Sequence, residues 1–288
     1  MNKDNLISIV LPVYNGAAHI EASIQSIISQ THTGWELIIV NDCSTDDTPD
    51  IINKYADSDI RIHIINNKVN LKLPASLNAG FAAANGNYLT WTSDDNLYKS
   101  NALSVLLKAL KDHPESDMVY SNYTNIDDNG NELDSITLPG PDQLVMTNTV
   151  GASFLYTRRI FEAIGEYDTN LFLAEDYDYW MRIYANGAIM HIDDDLYLYR
   201  RHSQSLTETK KELIQKQTYK ALMKNFLPMY ATAVKTNQRN QFFDHIIMRA
   251  GEEFGEEARD YLLTVCPAYR RYLHRKKLRN TLKSGNHG

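Results

Sequence analysis

The chain has 288 residues, of which 43% are hydrophobic and 23% charged, and its net charge is −7. This composition is typical of a soluble globular protein, and the negative charge argues against bulk binding of nucleic acid. Two cysteines are too few for a disulfide framework or a cysteine-based zinc site. The N-terminus has no signal-peptide pattern, and no apolar stretch reaches the roughly 20 residues that span a bilayer. The sequence therefore predicts a cytoplasmic protein, at most peripheral on the inner face of the membrane.

In chain order, the first hundred residues alternate between strand and helix patterns. Apolar strand patterns occupy residues 7–13, 35–40, 60–65 and 87–92. Helical spacing occurs within residues 16–30, around residues 51–55 and at 74–84. This β-α-β order predicts a parallel sheet with right-handed crossovers.

Beyond residue 98 the pattern becomes irregular and then entirely helical. We predict a helix at 102–111, a strand at 118–123, a hairpin turn at 127–130, strands at 150–157 and 189–200, and a helix at 176–186 between them. Later helices are predicted at 208–226, 239–250, 255–264 and 268–282. A boundary near residue 205 would divide an α/β domain, 1–205, from a helical extension, 206–288.

Two adjacent acids, Asp94 and Asp95, follow the fourth predicted strand. Open α/β sheets bind their ligands at the carboxyl ends of strands. Carboxylate oxygens suit a hard divalent cation that also holds phosphate oxygens. The alternative is an ordinary pair of solvated turn residues.

The first two strands also end in polar turns. Pro12, Asn15 and Gly16 mark a tight strand-to-helix turn where a nucleotide could approach backbone amides. Asp42 directly follows the second strand, as an acceptor for a base or ribose or as a turn residue. Neither GxGxxG nor GxxxxGK[ST] occurs, which argues against a dinucleotide-binding Rossmann enzyme and a P-loop NTPase.

The charged residues at 175–178 and 200–202 each allow two interpretations. Glu175, Asp176 and Asp178 could supply a general base, or form the acidic first turn of a helix. Arg200 and His202 could cover a diphosphate, or belong to a basic surface cluster. We interpret Trp180 and Arg182 as packing and helix-surface residues.

Several segments, taken in order, resemble the family 2 glycosyltransferases with a GT-A fold. They are "ISIVLPVYNG", "QTHTGWELIIVNDCSTDDT", "LNAGFAAANGNYLTWTSDDN", "GASFLYTRRIFEAIGEYD", "AEDYDYWMRI" and "YLYRRHSQSLT". The resemblance covers residues 6–207. It implies an α/β GT-A core with a C-terminal helical extension, and a metal-dependent, inverting hexosyl- or N-acetylhexosaminyl-transferase. The donor would be a nucleotide-diphosphate sugar, with a UDP-sugar favoured, and the acceptor a glycan or lipid-linked molecule in polysaccharide or wall-glycan assembly.

The resemblance also implies roles for individual residues. Asp176 would be the catalytic base, and Asp95 with Asp94 would hold Mg²⁺ or Mn²⁺. Asp42 would hold the base, and Asp94 would lie nearer the ribose. Thr92 replaces the first acid of a full DxD motif, so the choice of metal ligand stays open. The expected nucleotide-binding residues are Pro12, Tyr14, Asn15, Asp42, Asp94 and His202.

Two alternatives compete with this interpretation. A nucleotidyltransferase would also pair acids on an α/β fold, but it would want basic residues after the first strand, and residues 12–23 contain no Arg or Lys. A catalytically inactive nucleotide-sugar-binding protein would keep the fold but lack key acids, whereas Asp42, Asp95 and Asp176 are all present.

The C-terminal end is a separate basic segment. Residues 268–288 contain seven Lys or Arg and no Asp or Glu. Such a segment predicts a peripheral contact with an anionic membrane, or else a solvated tail or packed terminal helix.

Overall fold

The computed structural model describes residues 3–203 and 205–284, with side chains described within residues 4–203 and 205–277. In this part the chain forms nine strands: β1 (Ile7–Val13), β2 (Trp35–Asn41), β3 (Ile62–Asn66), β4 (Tyr88–Trp91), β5 (Leu97–Tyr98), β6 (Met118–Ile126), β7 (Glu132–Ile136), β8 (Phe154–Thr157) and β9 (Ile189–Arg200).

The same ranges contain eleven α-helices, with short 3-10 turns between some of them. They are α1 (Ile20–Ile28), α2 (Thr48–Ser58), α3 (Leu73–Ala83), α4 (Ala102–Asp112), α5 (Arg158–Ile164), α6 (Glu175–Asn186), α7 (Leu206–Thr209), α8 (Lys211–Lys224), α9 (Phe226–Lys235), α10 (Arg239–Val265) and α11 (Pro267–Ser284).

The strands form one mixed sheet in the order β3-β2-β1-β4-β8-β6-β9-β5, with β7 paired to β6. The four N-terminal strands are parallel, which confirms the prediction. Every residue of β1 and β2 is buried, because α1 to α4 cover the sheet. β8 then runs antiparallel to both β4 and β6.

The strand order places a topological switch point between β1 and β4. β2 and β3 lie on one side of β1, and β4 lies on the other. Crevices at the carboxyl ends of strands at such a point are the usual ligand sites of open α/β sheets. The turns after β1, β2 and β4 therefore share one edge.

Four elements were not predicted from the sequence. β5 has two residues, and β7 is almost entirely exposed and lacks an apolar alternation. α5 and α9 are short helices that continue directly from neighbouring elements. The predicted break between residues 250 and 255 is confirmed as a kink in α10 at Gly251, whose φ of 58° is left-handed.

The C-terminal helices pack on α6. One apolar cluster contains Trp180 of α6 together with Phe226 of α9 and Phe242 of α10, all buried. The domain boundary near residue 205 stays a prediction, since this cluster crosses it. None of the helices within the described ranges combines the length and apolar character needed to span a bilayer.

Candidate active site

Asp94 lies in the turn after β4, packed against the turn after β1. A Cβ atom at Gly16 would lie 2.0 Å from Asp94 Oδ2, so the absence of a side chain there lets the carboxylate approach the backbone. Burial, and then the charge of Asp95, raise the pKa of Asp94 to about 7. A cationic partner would restore its ionised form.

Asp95 and His202, which the sequence analysis singled out for different roles, lie in contact. His202 Nε2 lies 3.0 Å from Asp95 Oδ2, and both side chains are largely buried. Asp95 Oδ1 is buried with no hydrogen-bond partner. A buried carboxylate oxygen without a partner carries a desolvation cost that a ligand would remove.

These residues fit a divalent cation that is shared with a diphosphate. One carboxylate oxygen is free, and an imidazole stands beside the other. Mg²⁺ is usually held by one or two carboxylates plus substrate phosphates. Across residues 3–203 and 205–284, no three His, Cys, Asp or Glu side chains group as a protein-only metal site would need.

The turn after β1 presents two of the predicted nucleotide-binding residues at the edge of the sheet. Tyr14 is 51% exposed, and Asn15 is exposed with a left-handed φ of 54°. Asn15 Oδ1 accepts a hydrogen bond from Thr45 N at 2.8 Å, so this side chain braces the loop after β2. Pro12 is buried within β1, opposite Val40.

Asp42 lies at the end of β2, as predicted, and is 4% exposed. Its Oδ1 accepts hydrogen bonds from Asn67 Nδ2 and Leu71 N, both at 2.8 Å, and its Oδ2 accepts one from Lys72 N at 2.9 Å. A carboxylate offers about four acceptor positions, so one remains on Oδ2. Asp42 thus anchors the loop at 67–72.

Asp176 lies in the first turn of α6, half-buried. Its Oδ2 accepts a hydrogen bond from Asn148 Nδ2 at 2.8 Å, and its Oδ1 accepts one from Tyr177 N at 2.6 Å. Burial raises the pKa of Asp176. Its neighbour Glu175 is 4% exposed, and burial followed by the Asp176 charge raises the pKa of Glu175 as well.

The other charged residues of this region are anchors. Asp178 is fully buried and accepts hydrogen bonds from Arg182 Nε at 2.9 Å and Asn225 Nδ2 at 2.8 Å, with Lys224 Nζ at 3.1 Å. Trp180 is fully buried, which confirms its assignment to packing. Arg200 is 5% exposed, so it is not part of a basic surface cluster.

Tyr199 is a further titratable residue near the end of β9. Burial raises the pKa of the Tyr199 hydroxyl, and the nearby carboxylates of Asp95 and Asp176 raise it further.

Sequence reasoning missed His19 and Asn148. The His19 ring lies 5.8 Å from the His202 ring, and His19 Nε2 lies 3.3 Å from Asp128 Oδ1. His19 directly precedes α1, so its place after the first turn was the available signal. Asn148 lies outside the helices and strands, and nothing in its local pattern indicated Asp176 as its partner.

The model of the family described as "Glycosyl transferase family 2" matches residues 8–168. The chain belongs to this family. An uncharacterized glycosyltransferase of Rickettsia prowazekii (strain Madrid E) is 30% identical over 236 residues, which covers 77% of this chain and 71% of that protein. The putative teichuronic acid biosynthesis glycosyltransferase TuaG of Bacillus subtilis (strain 168) is 26% identical over 216 residues, covering 73% and 85%. The chain spans about a third of the length of some longer Rickettsia relatives.

Solved structures share the fold of this family 2 enzyme. S. aureus TarS 1–349 in complex with UDP-GlcNAc matches with a TM-score of 0.70 at 18% identity, covering 92% of this chain and 78% of that chain. PcManGT, a mannosyltransferase from Pyrobaculum calidifontis in complex with GDP-Man and Mn²⁺, matches with a TM-score of 0.61 at 14% identity, covering 96% and 80%. The GT-A core followed by C-terminal helices is thereby confirmed.

Family membership carries the reaction class. The protein is a glycosyltransferase that uses a nucleotide-sugar donor, and the family implies inversion at the transferred sugar. This favours the glycosyltransferase prediction over a nucleotidyltransferase or an inactive binding protein.

Proposed function

We propose that this glycosyltransferase moves a sugar from a UDP-sugar to a hydroxyl of a glycan or lipid-linked acceptor, with Mg²⁺ or Mn²⁺ assisting at Asp95. The observation that carries the proposal is the buried, unpartnered Asp95 Oδ1 beside His202, at the switch-point edge of the sheet. A mannosyltransferase of the same fold was solved with GDP-Man and Mn²⁺.

On the donor side, Asp95 and His202 would hold the cation, and Asp94 would lie towards the ribose. A divalent cation bound there would neutralise charge on the departing diphosphate. Asn15 keeps the turn after β1 in place, and Tyr14 offers an exposed ring beside it. These residues bind and orient the donor.

On the acceptor side, we propose Asp176 as the base. Its carboxylate takes the proton of the acceptor hydroxyl as that oxygen bonds to the anomeric carbon and the bond to the diphosphate breaks. One base on the face opposite the leaving group is sufficient for inversion. Asn148 fixes one oxygen, and burial raises the pKa of Asp176 towards the range useful for proton transfer.

The choice of UDP rests on Asp42 and on the TarS complexes. The remaining acceptor position of Asp42 Oδ2 could receive one N–H of a base. TarS was solved with UDP and with UDP-GlcNAc. Its UDP-GlcNAc complex matches this chain with a TM-score of 0.70, against 0.61 for the GDP-Man complex of PcManGT.

The proposed acceptor is a wall or surface glycan, and the proposed location is the inner face of the membrane. A relative is named for teichuronic acid biosynthesis, which supports a wall or surface glycan, or its lipid-linked precursor, as acceptor. We propose a cytoplasmic enzyme that contacts the inner face of the membrane through α11. Within residues 267–277, where its side chains are described, this helix exposes the Lys and Arg residues Arg270, Arg271, Arg275, Lys276 and Lys277.

The test is titration calorimetry with a panel of donors: UDP-glucose, UDP-galactose, UDP-GlcNAc and GDP-mannose, each with Mn²⁺ and with chelator. We expect a UDP-sugar to bind best, and roughly tenfold or more tightly with Mn²⁺ than with chelator. Asp95→Asn should weaken this binding by roughly tenfold or more through loss of a charge-assisted contact. Asp193→Asn, at a side chain that is 96% exposed, is the matched control.

Two results would contradict the proposal. Tighter binding of GDP-mannose would exclude the UDP assignment. Equal affinity with and without chelator, in wild type and Asp95→Asn alike, would exclude the role of the metal.

A further inference from the structure

Arg200, the last residue of β9, is a buried cation that contacts backbone oxygens. Its Nε donates a hydrogen bond to Asp95 O at 2.9 Å. Its Nη1 donates to Asp127 O and Asp128 O, both at 2.8 Å. Among the described residues, no carboxylate pairs with its guanidinium. The guanidinium therefore bridges the turn after β4 and the turn between β6 and β7.

Arg200 donates two hydrogen bonds to the turn that contains Asp95. Arg200 Nε holds Asp95 O, and Asn96 Oδ1 accepts a hydrogen bond from Arg200 N at 2.8 Å. Asn96 is 2% exposed, so both contacts are shielded from water. The backbone around Asp95 is thus fixed to the end of β9.

The same strand end carries His202, two residues further on. A fixed Arg200 sets the position of His202, whose Nε2 lies 3.0 Å from Asp95 Oδ2. The pair that would hold the cation is therefore built on one hydrogen-bonded unit. Residues that orient metal ligands in this way tune affinity without touching the metal.

The turn between β6 and β7 contacts Arg200 from the other side. Arg200 holds the turn between β6 and β7 by the Asp127 and Asp128 carbonyls, and Asp128 Oδ1 lies 3.3 Å from His19 Nε2. The His19 ring lies 5.8 Å from the His202 ring. Arg200 thus connects the turns after β4 and β6, and through Asp128 it is linked to His19, which directly precedes α1.

We propose that Arg200 is a positioning residue for the metal-binding pair and does not itself contact the donor. It holds Asp95 and His202 at the separation that they need, so that little reorganisation accompanies cation binding. This inference rests on the metal-assisted donor binding proposed above.

The test is Arg200→Lys, which keeps the charge but replaces a planar fork with a single ammonium group. Mn²⁺ affinity in the presence of UDP, measured from free Mn²⁺ by electron paramagnetic resonance, should fall roughly 10- to 100-fold. UDP affinity in chelator, measured by calorimetry, should stay within about threefold. A residue that positions the metal ligands without contacting the donor should affect Mn²⁺ affinity but not metal-free UDP affinity.

Arg182→Lys is the matched control. Arg182 also forks between backbone oxygens, those of Ile164 and Glu166, and also bonds a carboxylate, Asp178. It should lower the midpoint of thermal unfolding and leave Mn²⁺ affinity unchanged. If Arg200→Lys does not fold, Asn96→Ala removes the acceptor of the second hydrogen bond that Arg200 donates to this turn, and it should also weaken Mn²⁺ binding.

Each contrary result has a distinct meaning. Wild-type Mn²⁺ affinity in a folded Arg200→Lys or Asn96→Ala protein overturns the positioning role. An equal loss in Arg182→Lys overturns it too, because general loosening would then explain the effect. A parallel loss of metal-free UDP affinity would make Arg200 a donor contact. Absence of Mn²⁺ binding by wild type with UDP would overturn the metal-assisted function itself.

Discussion

Gly16 and Asp94 are in direct contact across the edge of the sheet. A Cβ atom at position 16 would lie 2.0 Å from Asp94 Oδ2 and 2.6 Å from Val13 Cγ2. Because real Cβ atoms do not approach so closely, Gly16→Ala must displace the Asp94 carboxylate or the turn after β1. We expect nucleotide affinity, measured by calorimetry, to fall by roughly tenfold or more, the loss of about one charge-assisted contact.

Gly255→Ala provides the control for this substitution. The nearest atom to a Cβ at position 255 is Arg259 Nη1 at 3.9 Å, and alanine is the better helix former. This variant should keep wild-type nucleotide affinity. Wild-type affinity in Gly16→Ala as well would mean that Asp94 takes no part in binding the donor.

Asp176→Asn should separate catalysis from binding. Its amide cannot accept the acceptor proton, so kcat should fall roughly 100-fold or more, as for loss of a general base. Donor affinity should change little, because the base acts mainly in the transition state. Steady-state kinetics and donor calorimetry measure the two quantities. If the variant kept more than about a tenth of wild-type turnover, Asp176 would not be the base.

His245 gives a pH dependence of stability. It is 5% exposed, and burial, aided by the charge of Arg249, lowers the pKa of His245 from 6.5 to about 4. The unfolded chain therefore binds the proton first. Full stability is present above pH 6.5, and up to about 3 kcal/mol is lost as pH falls from 6.5 to 4.

His245→Phe removes this titration. The free energy of unfolding, from urea denaturation at pH 8 and pH 5, should fall less between the two pH values in the variant than in wild type. A packing cost of the phenyl ring lowers the free energy of unfolding equally at both pH values, so it does not alter the difference between them. The same decrease in both proteins would show that His245 does not titrate on unfolding.

The basic surface of α11 can be tested without removing the helix. Ala268 and Tyr269 are buried in the core, so truncation would damage the fold, whereas Arg270, Arg271 and Arg275 are exposed. A triple Arg→Gln variant should lose co-sedimentation with anionic vesicles at low salt, since roughly 1 kcal/mol per basic residue is available there. Equal sedimentation of variant and wild type would leave α11 as an ordinary terminal helix.

Local patterns determined much of this architecture in advance. β1 and β2 are continuous apolar runs, and such runs alternating with helical spacing predict a buried parallel sheet. The same reasoning placed Asp42, Asp94 and Asp95 at strand ends, and the structure puts them there. The pairing of His202 with Asp95 is consistent with both having been singled out.

Contacts over long sequence distances were beyond such patterns. Arg200 meets Asp95 from 105 residues away, and Asn148 meets Asp176 from 28 residues away. The sequence around Arg200 does not indicate whether this residue is buried between two turns or exposed at the surface. Likewise, the three donors on Asp42 come from a loop whose path depends on the folded sheet.

The contacts of Asp178 bear on how chimeric enzymes should be made from this family. Its buried carboxylate belongs to α6, yet Lys224 and Asn225, at the junction of α8 and α9, supply two of its partners. Joining residues 1–205 to the helices of a relative would leave this buried carboxylate with Arg182 but without Lys224 and Asn225, at a cost of roughly 1–3 kcal/mol. If α6 is instead exchanged together with the later helices, Asp178 and all three of its partners come from the same parent protein.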